Sequence, residues 1–273
     1  MEAATQYDLI VVGAGPAGNA CAITSARAGA NVLLLEKDRF PRHKVCGEFV
    51  SSEALRLLDS LLGRPQFSSR LEIDSARIFL ETKPERAAQS LQLPVSPPAL
   101  SIPRFDLDAA LLASARGAGV RVEETMPALD VRRNGMFQVS TARQTFTAKA
   151  VVNASGRWSK LSRREIAPQE RWIGLKAHFS EASARNSVDL YFFPGGYCGV
   201  TPLGKDSVNA CAMVRADAAH SLPQVFAQHP ELWRRSRSWE PLVPEITTSP
   251  LFFHEPETES DGVLQTGDAA GFI

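Results

Sequence analysis

Apolar side chains recur along this chain with two different periods, and the changes of period divide it into elements. The run Tyr7-Asp-Leu-Ile-Val-Val12 is short and almost continuously apolar, and Asn31-Val-Leu-Leu-Leu-Glu36 repeats the pattern. Both read as strands buried on two faces of a parallel sheet. Between them residues 17–28 are rich in small helix formers, with Pro16 suited to a helix start and Gly29 to its stop. A second helix is expected over 52–62. From 71 to 100 the character changes: alternating pieces at 76–80 and 90–94, separated by charged and proline-rich turns, predict antiparallel strands. A helix capped by Asp106 follows, with apolar residues at 107, 111 and 112, then a parallel strand over 119–122. Residues 128–148 alternate around Asn134-Gly135, a strong hairpin signal. The stretch 171–214 is strand-rich, 217–238 reads as a helix, and a last strand precedes Gly267. The pattern as a whole is α/β.

The sharpest local signal is Gly13-Ala-Gly15-Pro-Ala-Gly18, which joins the first strand to the first helix. Gly13 permits a tight turn, Gly15 lets the backbone approach a pyrophosphate, and Gly18 lets the helix pack on the strand. Glu36 ends the second strand 18 residues after Gly18. A carboxylate there accepts hydrogen bonds from both ribose hydroxyls of an adenosine and repels a 2′-phosphate. FAD or NAD is therefore expected rather than NADP. Gly13, Ala14, Gly15, Pro16, Ala17, Gly18, Glu36 and Lys37 are the cofactor-binding candidates of this unit.

Composition narrows the picture further. The chain has 273 residues, 44% of them hydrophobic, which is long for one domain and suits two interleaved ones. Its formal net charge is zero, and nothing in that balance suggests a nucleic-acid partner. Cys21, Cys46, Cys198 and Cys211 are scattered without C-x-x-C spacing, so neither a metal site nor a disulfide framework is expected. No basic amino-terminal segment leads into an apolar stretch, and no run approaches the ~20 apolar residues of a membrane span. A cytoplasmic location is expected, with peripheral membrane association as an open alternative. For that alternative, Trp233 and Trp239 flank Arg234, Arg235 and Arg237, and such a run touches an anionic lipid surface or simply complements a helix dipole at its solvated end.

After the second strand the chain turns at Pro41, concentrates Arg39, Arg42, His43 and Lys44, and meets Cys46-Gly47 before the next helix. This segment resembles the signature of the geranylgeranyl reductase family of FAD-dependent oxidoreductases, relatives of the para-hydroxybenzoate hydroxylase type and of the flavin-dependent halogenases. The resemblance implies that the loop runs beside a flavin, with Arg42, Cys46 and Gly47 near it. Cys46 is also a weak catalytic candidate, since converging positive charge would favour its thiolate; a buried, inert cysteine is the equal alternative. The resemblance carries over an arginine before the third helix, Arg104, as a flavin contact, against the alternative of a salt bridge at the helix start.

Two further motifs extend the likeness. Ala150-Val-Val-Asn-Ala-Ser-Gly156 resembles the second flavin motif, with Ser155 where many relatives carry aspartate, and Gly156 still permits close backbone approach. Gly267-Asp268-Ala-Ala-Gly271 matches the Gly-Asp motif whose aspartate binds the ribityl chain, and it selects FAD. Phe-Pro-Gly-Gly-Tyr around 193–197 resembles the part of the family's sheet that lines an apolar cavity, making Phe192, Phe193 and Tyr197 lining candidates or plain sheet core. The expected architecture is a Rossmann-like FAD-binding domain, a parallel sheet plus a β-meander, from residues 1–70, 101–165 and 258–273. A mainly antiparallel substrate domain would comprise 71–100 and 166–257.

The implied function is flavin-dependent reduction of carbon–carbon double bonds in an isoprenoid or similar apolar small molecule, with NADH, NADPH or another reductant as electron donor. Hydroxylation of an aromatic or polyketide substrate is the alternative. Halogenation fits less well, because the W-x-W-x-I-P motif is absent and Trp158 and Trp172 do not form it. Relatives continue past the Gly-Asp motif with a glycine-containing turn and a long helix, so the chain resembles a reductase without its carboxyl-terminal part. An inactive or FAD-binding-only fragment is the third reading.

Overall fold

The computed structural model describes residues 6–63, 67, 70–80, 89–157, 161, 171–182, 184–251, 253 and 255–271. The chain opens with β1 (Gln6–Val12), α1 (Pro16–Arg27) and β2 (Val32–Leu35), close to the expected bounds. All four residues of β2 are buried, as a strand covered on both faces requires. Then come β3 (Phe49–Val50), α2 (Ser52–Leu62), β4 (Leu71–Leu80), β5 (Gln89–Ser101), α3 (Arg104–Gly117) and β6 (Arg121–Glu123). The hairpin signal yields β7 (Ala128–Asn134) and β8 (Met136–Thr141), turning at Gly135 with φ +70°. β9 (Thr145–Asn153), β10 (Trp172–Ser180), β11 (Ser187–Phe193), β12 (Gly196–Pro202) and β13 (Ser207–Arg215) follow. The chain ends with α4 (Leu222–Phe226), α5 (Pro230–Ser236), β14 (Ile246–Leu251), β15 (Glu259–Ser260) and β16 (Val263–Gln265).

Two sheets organise these elements. The first has the order β15-β16-β9-β1-β2-β6, and β7 and β8 extend from β9 as an antiparallel meander. β16, β9, β1, β2 and β6 run parallel. Their register places Val12 beside both Leu35 and Asn153, and Asn153 beside Gln265. The loops leaving β1, β2, β9 and β16 therefore emerge along one carboxyl-terminal edge, where open α/β sheets bind ligands. Alternation sorts the core: Val11 and Leu34 pack with Ile23, Leu111 and Leu112 under the helices, while Ile10, Val12, Leu33 and Leu35 pack with Phe137, Val139 and Phe146 under the meander.

The second sheet has the order β14-β10-β13-β12-β11-β4-β5-β3 and is antiparallel except for the β11–β4 pair. It takes in β3, which lies within the segment 1–70. Its core joins Leu175, Tyr191, Val200, Val214 and Phe226 to the small helices. Among the described residues no helix is long and apolar enough to cross a membrane.

Three element-level expectations need correction. The third helix is capped by Pro103 and starts at Arg104, with Asp106 inside the first turn rather than at the cap. There its charge complements the helix dipole instead. The helix expected over 217–238 is two short ones, because Pro223 and Pro230 each sit in a first turn and cannot occupy a helix interior. The short pieces at 76–80 and 90–94 belong to longer strands, and Pro97 and Pro98 fall where the β4–β5 register shifts between Ile73 and Ser75.

Candidate functional site

Along the carboxyl edge of the first sheet lies a cleft of about 980 Å³, at the upper end of ligand-site sizes. Its walls come from the glycine loop, the end of β2, residues 42–45, Arg104, residues 126–129 after β6, residues 154–157 after β9, Gly267 and Asp268, and Ile246, Thr247 and Thr248 of β14. One cavity thus spans both sheets.

The three loop glycines divide the work. A Cβ on Gly13, whose φ is +102°, would lie 2.4 Å from the Ala154 carbonyl oxygen, and one on Gly18 would lie 1.8 Å from that of Gly13. In both cases the atom met belongs to the backbone. A Cβ on Gly15 would meet nothing within 4 Å, and Gly15, Pro16 and Ala17 line the cleft. The amino end of α1 has no side-chain cap and no acid in its first turn, so its backbone donors and dipole suit an anion. Ala14 and Gly18 lie behind this wall. The buried Asn19 holds the loop from below, its Nδ2 donating to the Ala14 carbonyl at 2.6 Å.

Glu36 is buried at the end of β2. Its Oε2 accepts from the Ala14 N–H at 2.7 Å and its Oε1 from the Asp38 N–H at 2.9 Å. Each carboxylate oxygen keeps a second lone pair for a ligand. Arg42 stands 3.8 Å from Glu36 and 3.2 Å from Asp108, while Arg104 forks onto Asp108 at 2.7 and 2.8 Å. Asp108 is fully buried and anchors both cleft arginines. Arg104 therefore forms the helix-start salt bridge and also lines the cleft. Lys37 and Lys44 complete this basic side, where burial, then Arg42 and Lys37, push the Lys44 ammonium below its usual value.

On the opposite side, Gly156 turns with φ +81° and Gly267 with φ +61°. Asp268 is half exposed on a short 3₁₀ turn over 267–269, and Arg157 Nε lies 3.7 Å from its carboxylate. Ser155 hydrogen-bonds back to Asn153 Oδ1, and Asn153 Nδ2 donates to Gln265 Oε1 at 2.7 Å, tying β9 to β16 beneath the cleft. Gly271 abuts Pro256 and is not part of the cleft wall. Neither are Cys46 and Gly47. Cys46 is half-buried and interacts with the Arg104 side chain, while Arg42 turns to Asp108 and His43 to Phe105. Phe192, Phe193 and Tyr197 also stand outside the wall: Phe193 is sheet core, and Phe192 tilts against its cross-strand partner Tyr197 at 5.6 Å.

A buried polar cluster beside the cleft escaped the sequence reading. Glu48, with φ +58° and 1% exposure, receives Lys176 Nζ and the Arg104 N–H (2.8 Å) on Oε1 and faces His178 Nε2 at 2.8 Å on Oε2. Burial opposes its charge, but His178 and Lys176 outweigh that and hold the carboxyl below its usual range. The His178 ring meets His43 edge-on, centroids 5.5 Å apart, and His43 packs on Phe105 at 4.9 Å and lines the cleft.

A family model for FAD-dependent oxidoreductases matches residues 8–158, and the chain belongs to that family. It is an enzyme of the flavin class, and the glycine loop, the free helix end and the size of the cleft fit FAD. The digeranylgeranylglycerophospholipid reductase 1 of Methanothermobacter thermautotrophicus is 26% identical over 98% of this chain and 72% of its own length. A 1H-pyrrole-2-carbonyl-[peptidyl-carrier protein] brominase of Pseudoalteromonas luteoviolacea is 28% identical over 98% of this chain and 71% of its own. Among solved structures, a myxobacterial chondrochloren halogenase superposes with TM-score 0.82 at 20% identity, covering 98% of this chain and 69% of that one, which shows the shared fold.

Proposed function

We propose that the protein reduces carbon–carbon double bonds of an isoprenoid or similar apolar molecule, with NADH, NADPH or another reductant as electron donor. The observation that carries this reading is the single cleft that runs from the nucleotide edge to β14 of the second sheet, giving one space to a cofactor and a substrate. The likeness to digeranylgeranylglycerophospholipid reductases supports it. FAD, when bound, supplies hydride chemistry. The chain's part is to hold and orient it: α1 would receive the pyrophosphate, Glu36 the adenosine ribose, and Asp268 the ribityl chain. Arg42 and Arg104, immobilised by Asp108, would give the cleft its positive wall. Trp233, 52% exposed on α5, and Leu242, 55% exposed, support contact with a lipid surface, whereas Trp239 is buried in the core.

The test is incubation of the FAD-loaded chain with a geranylgeranyl lipid and reduced nicotinamide, in parallel without oxygen and with oxygen and bromide, followed by mass spectrometry. Gain of two hydrogens per double bond supports the reductase. Oxygen-dependent gain of one oxygen would assign a hydroxylase instead, and bromide-dependent gain of bromine the activity named for the brominase relative. No reduced product sinks the reductase reading for this chain.

A further inference from the structure

Lys176 and His178 alternate along β10, so both face the same side, while Leu175, Ala177 and Phe179 pack into the second sheet's core on the other. A lysine with 0% exposure is costly to bury, and exchanging a buried ion pair for apolar residues is often neutral or stabilising. Glu48, the lysine's partner, is held in the left-handed region, a conformation that costs a non-glycine residue energy and gathers at functional sites. Stability alone is therefore a poor account of this cluster. Its open end is His43, whose ring forms part of the cleft wall and whose Nδ1 is buried with no hydrogen-bond partner among the described residues.

We propose that His43 is the proton-exchanging side chain of the cleft, and that Glu48, clasped between Lys176 and His178, positions it and sets its charge. The neutral imidazole takes one proton from the occupant of the cleft and becomes imidazolium; the reverse step returns that proton, and no electrons move on the protein. The charged and titratable groups facing His43 are Lys176 and His178 from β10, Glu48 from the loop before β3, and Asp106 from α3. Burial, then Lys176 and His178, lower its proton affinity, and Glu48 and Asp106 raise it, with a net shift below the usual imidazole value. The neutral ring is thus the resting form near pH 7, which suits a group that must accept and return a proton. Lys176 and Glu48 act through His43 and are positioning residues.

The experiment is an NMR titration of the histidine rings of the full chain, with His43→Gln identifying the His43 signal. Glu48→Gln leaves Lys176 uncompensated and moves the His43 midpoint down. Lys176→Met leaves Glu48 uncompensated and moves it up. Each shift is expected to reach about half a pH unit, roughly threefold in proton affinity. Equal midpoints, or shifts of the same sign in both variants as general loosening would give, overturn the proposal. Should a buried substitution unfold the chain, the wild-type protein still decides. Loaded with FAD, its flavin absorbance should change across about pH 5 to 9 with the His43 midpoint, and lose that change in His43→Gln. A pH-independent band with FAD bound overturns the inference and leaves the flavin reading intact. Failure of the wild type to bind FAD would strike the flavin reading, while the apo titrations still judge the His43 coupling.

Discussion

A methyl group added at Gly15 meets no atom of the chain within 4 Å, whereas the same addition at Gly13 or Gly18 lands on a backbone carbonyl. Substitution can therefore separate folding from cofactor binding inside one six-residue motif. Gly15→Ala should unfold at the same urea midpoint as the wild type without FAD, yet bind FAD at least about tenfold more weakly, since its Cβ enters space the pyrophosphate would use. Gly18→Ala should lose several kcal/mol, of the order seen for overpacked sites, and fail to accumulate as folded protein. Equal FAD affinity for Gly15→Ala and wild type, read by fluorescence titration, would remove the loop from the cofactor site. All three positions were legible in the sequence because a strand, a glycine loop and a helix are local signals. The close approach of Ala154 to Gly13 was not, because Ala154 follows β9, far along the chain.

Helix α3 places Asp108 one turn beyond Arg104, and that spacing was a readable signal for an ion pair. What the helix alone could not show is that Arg42 comes to the same carboxylate, completing a buried cluster under the cleft. Asp108→Asn removes the charge and leaves two guanidinium groups short of a partner. Loss of one member of a buried pair costs about 3–5 kcal/mol, so the urea midpoint should fall markedly. Arg116→Ala, at the end of the same helix, breaks a half-exposed pair with Glu124 beyond β6 and should cost under about 1 kcal/mol. Comparable losses in the two variants would mean that Asp108 is no anchor. The second sheet repeats the device: Arg235 of α5 forks onto Glu181 and reaches Asp189 and the Tyr191 hydroxyl. In sequence Arg235 was only one of several cations at a helix end, and nothing local distinguished it from the exposed Arg234.

At the scale of the whole molecule, what was legible followed contact distance. The parallel strands, the hairpin and the cleft loops are written in short windows, while the Glu48 cluster joins residues 128 and 130 positions apart and carries no local period except the Lys176–His178 alternation. The same long-range packing gives the molecule a predictable response to alkali. Burial raises the Cys198 thiol well above its usual value, pushes Cys211 up to about 12, and raises Tyr191, Tyr197 and, in α1, Cys21. In the unfolded chain the thiols ionise near their ordinary values, so above about pH 9 the unfolded state sheds protons that the folded state keeps. A raised folded-state value means that the stabilisation is complete below the unfolded value and is lost as the pH climbs toward the folded one. The unfolding free energy, followed by urea, should hold steady to about pH 8.5 and then decline, by about 1.4 kcal/mol per pH unit for each thiol that ionises only on unfolding. Cys198→Ala should flatten that decline measurably, at some cost in packing at neutral pH, because its side chain is 0% exposed. A midpoint flat from about pH 8.5 to 11, together with rapid alkylation of Cys198 in the native protein, would show that the second sheet admits solvent and that its core is looser than its burial implies.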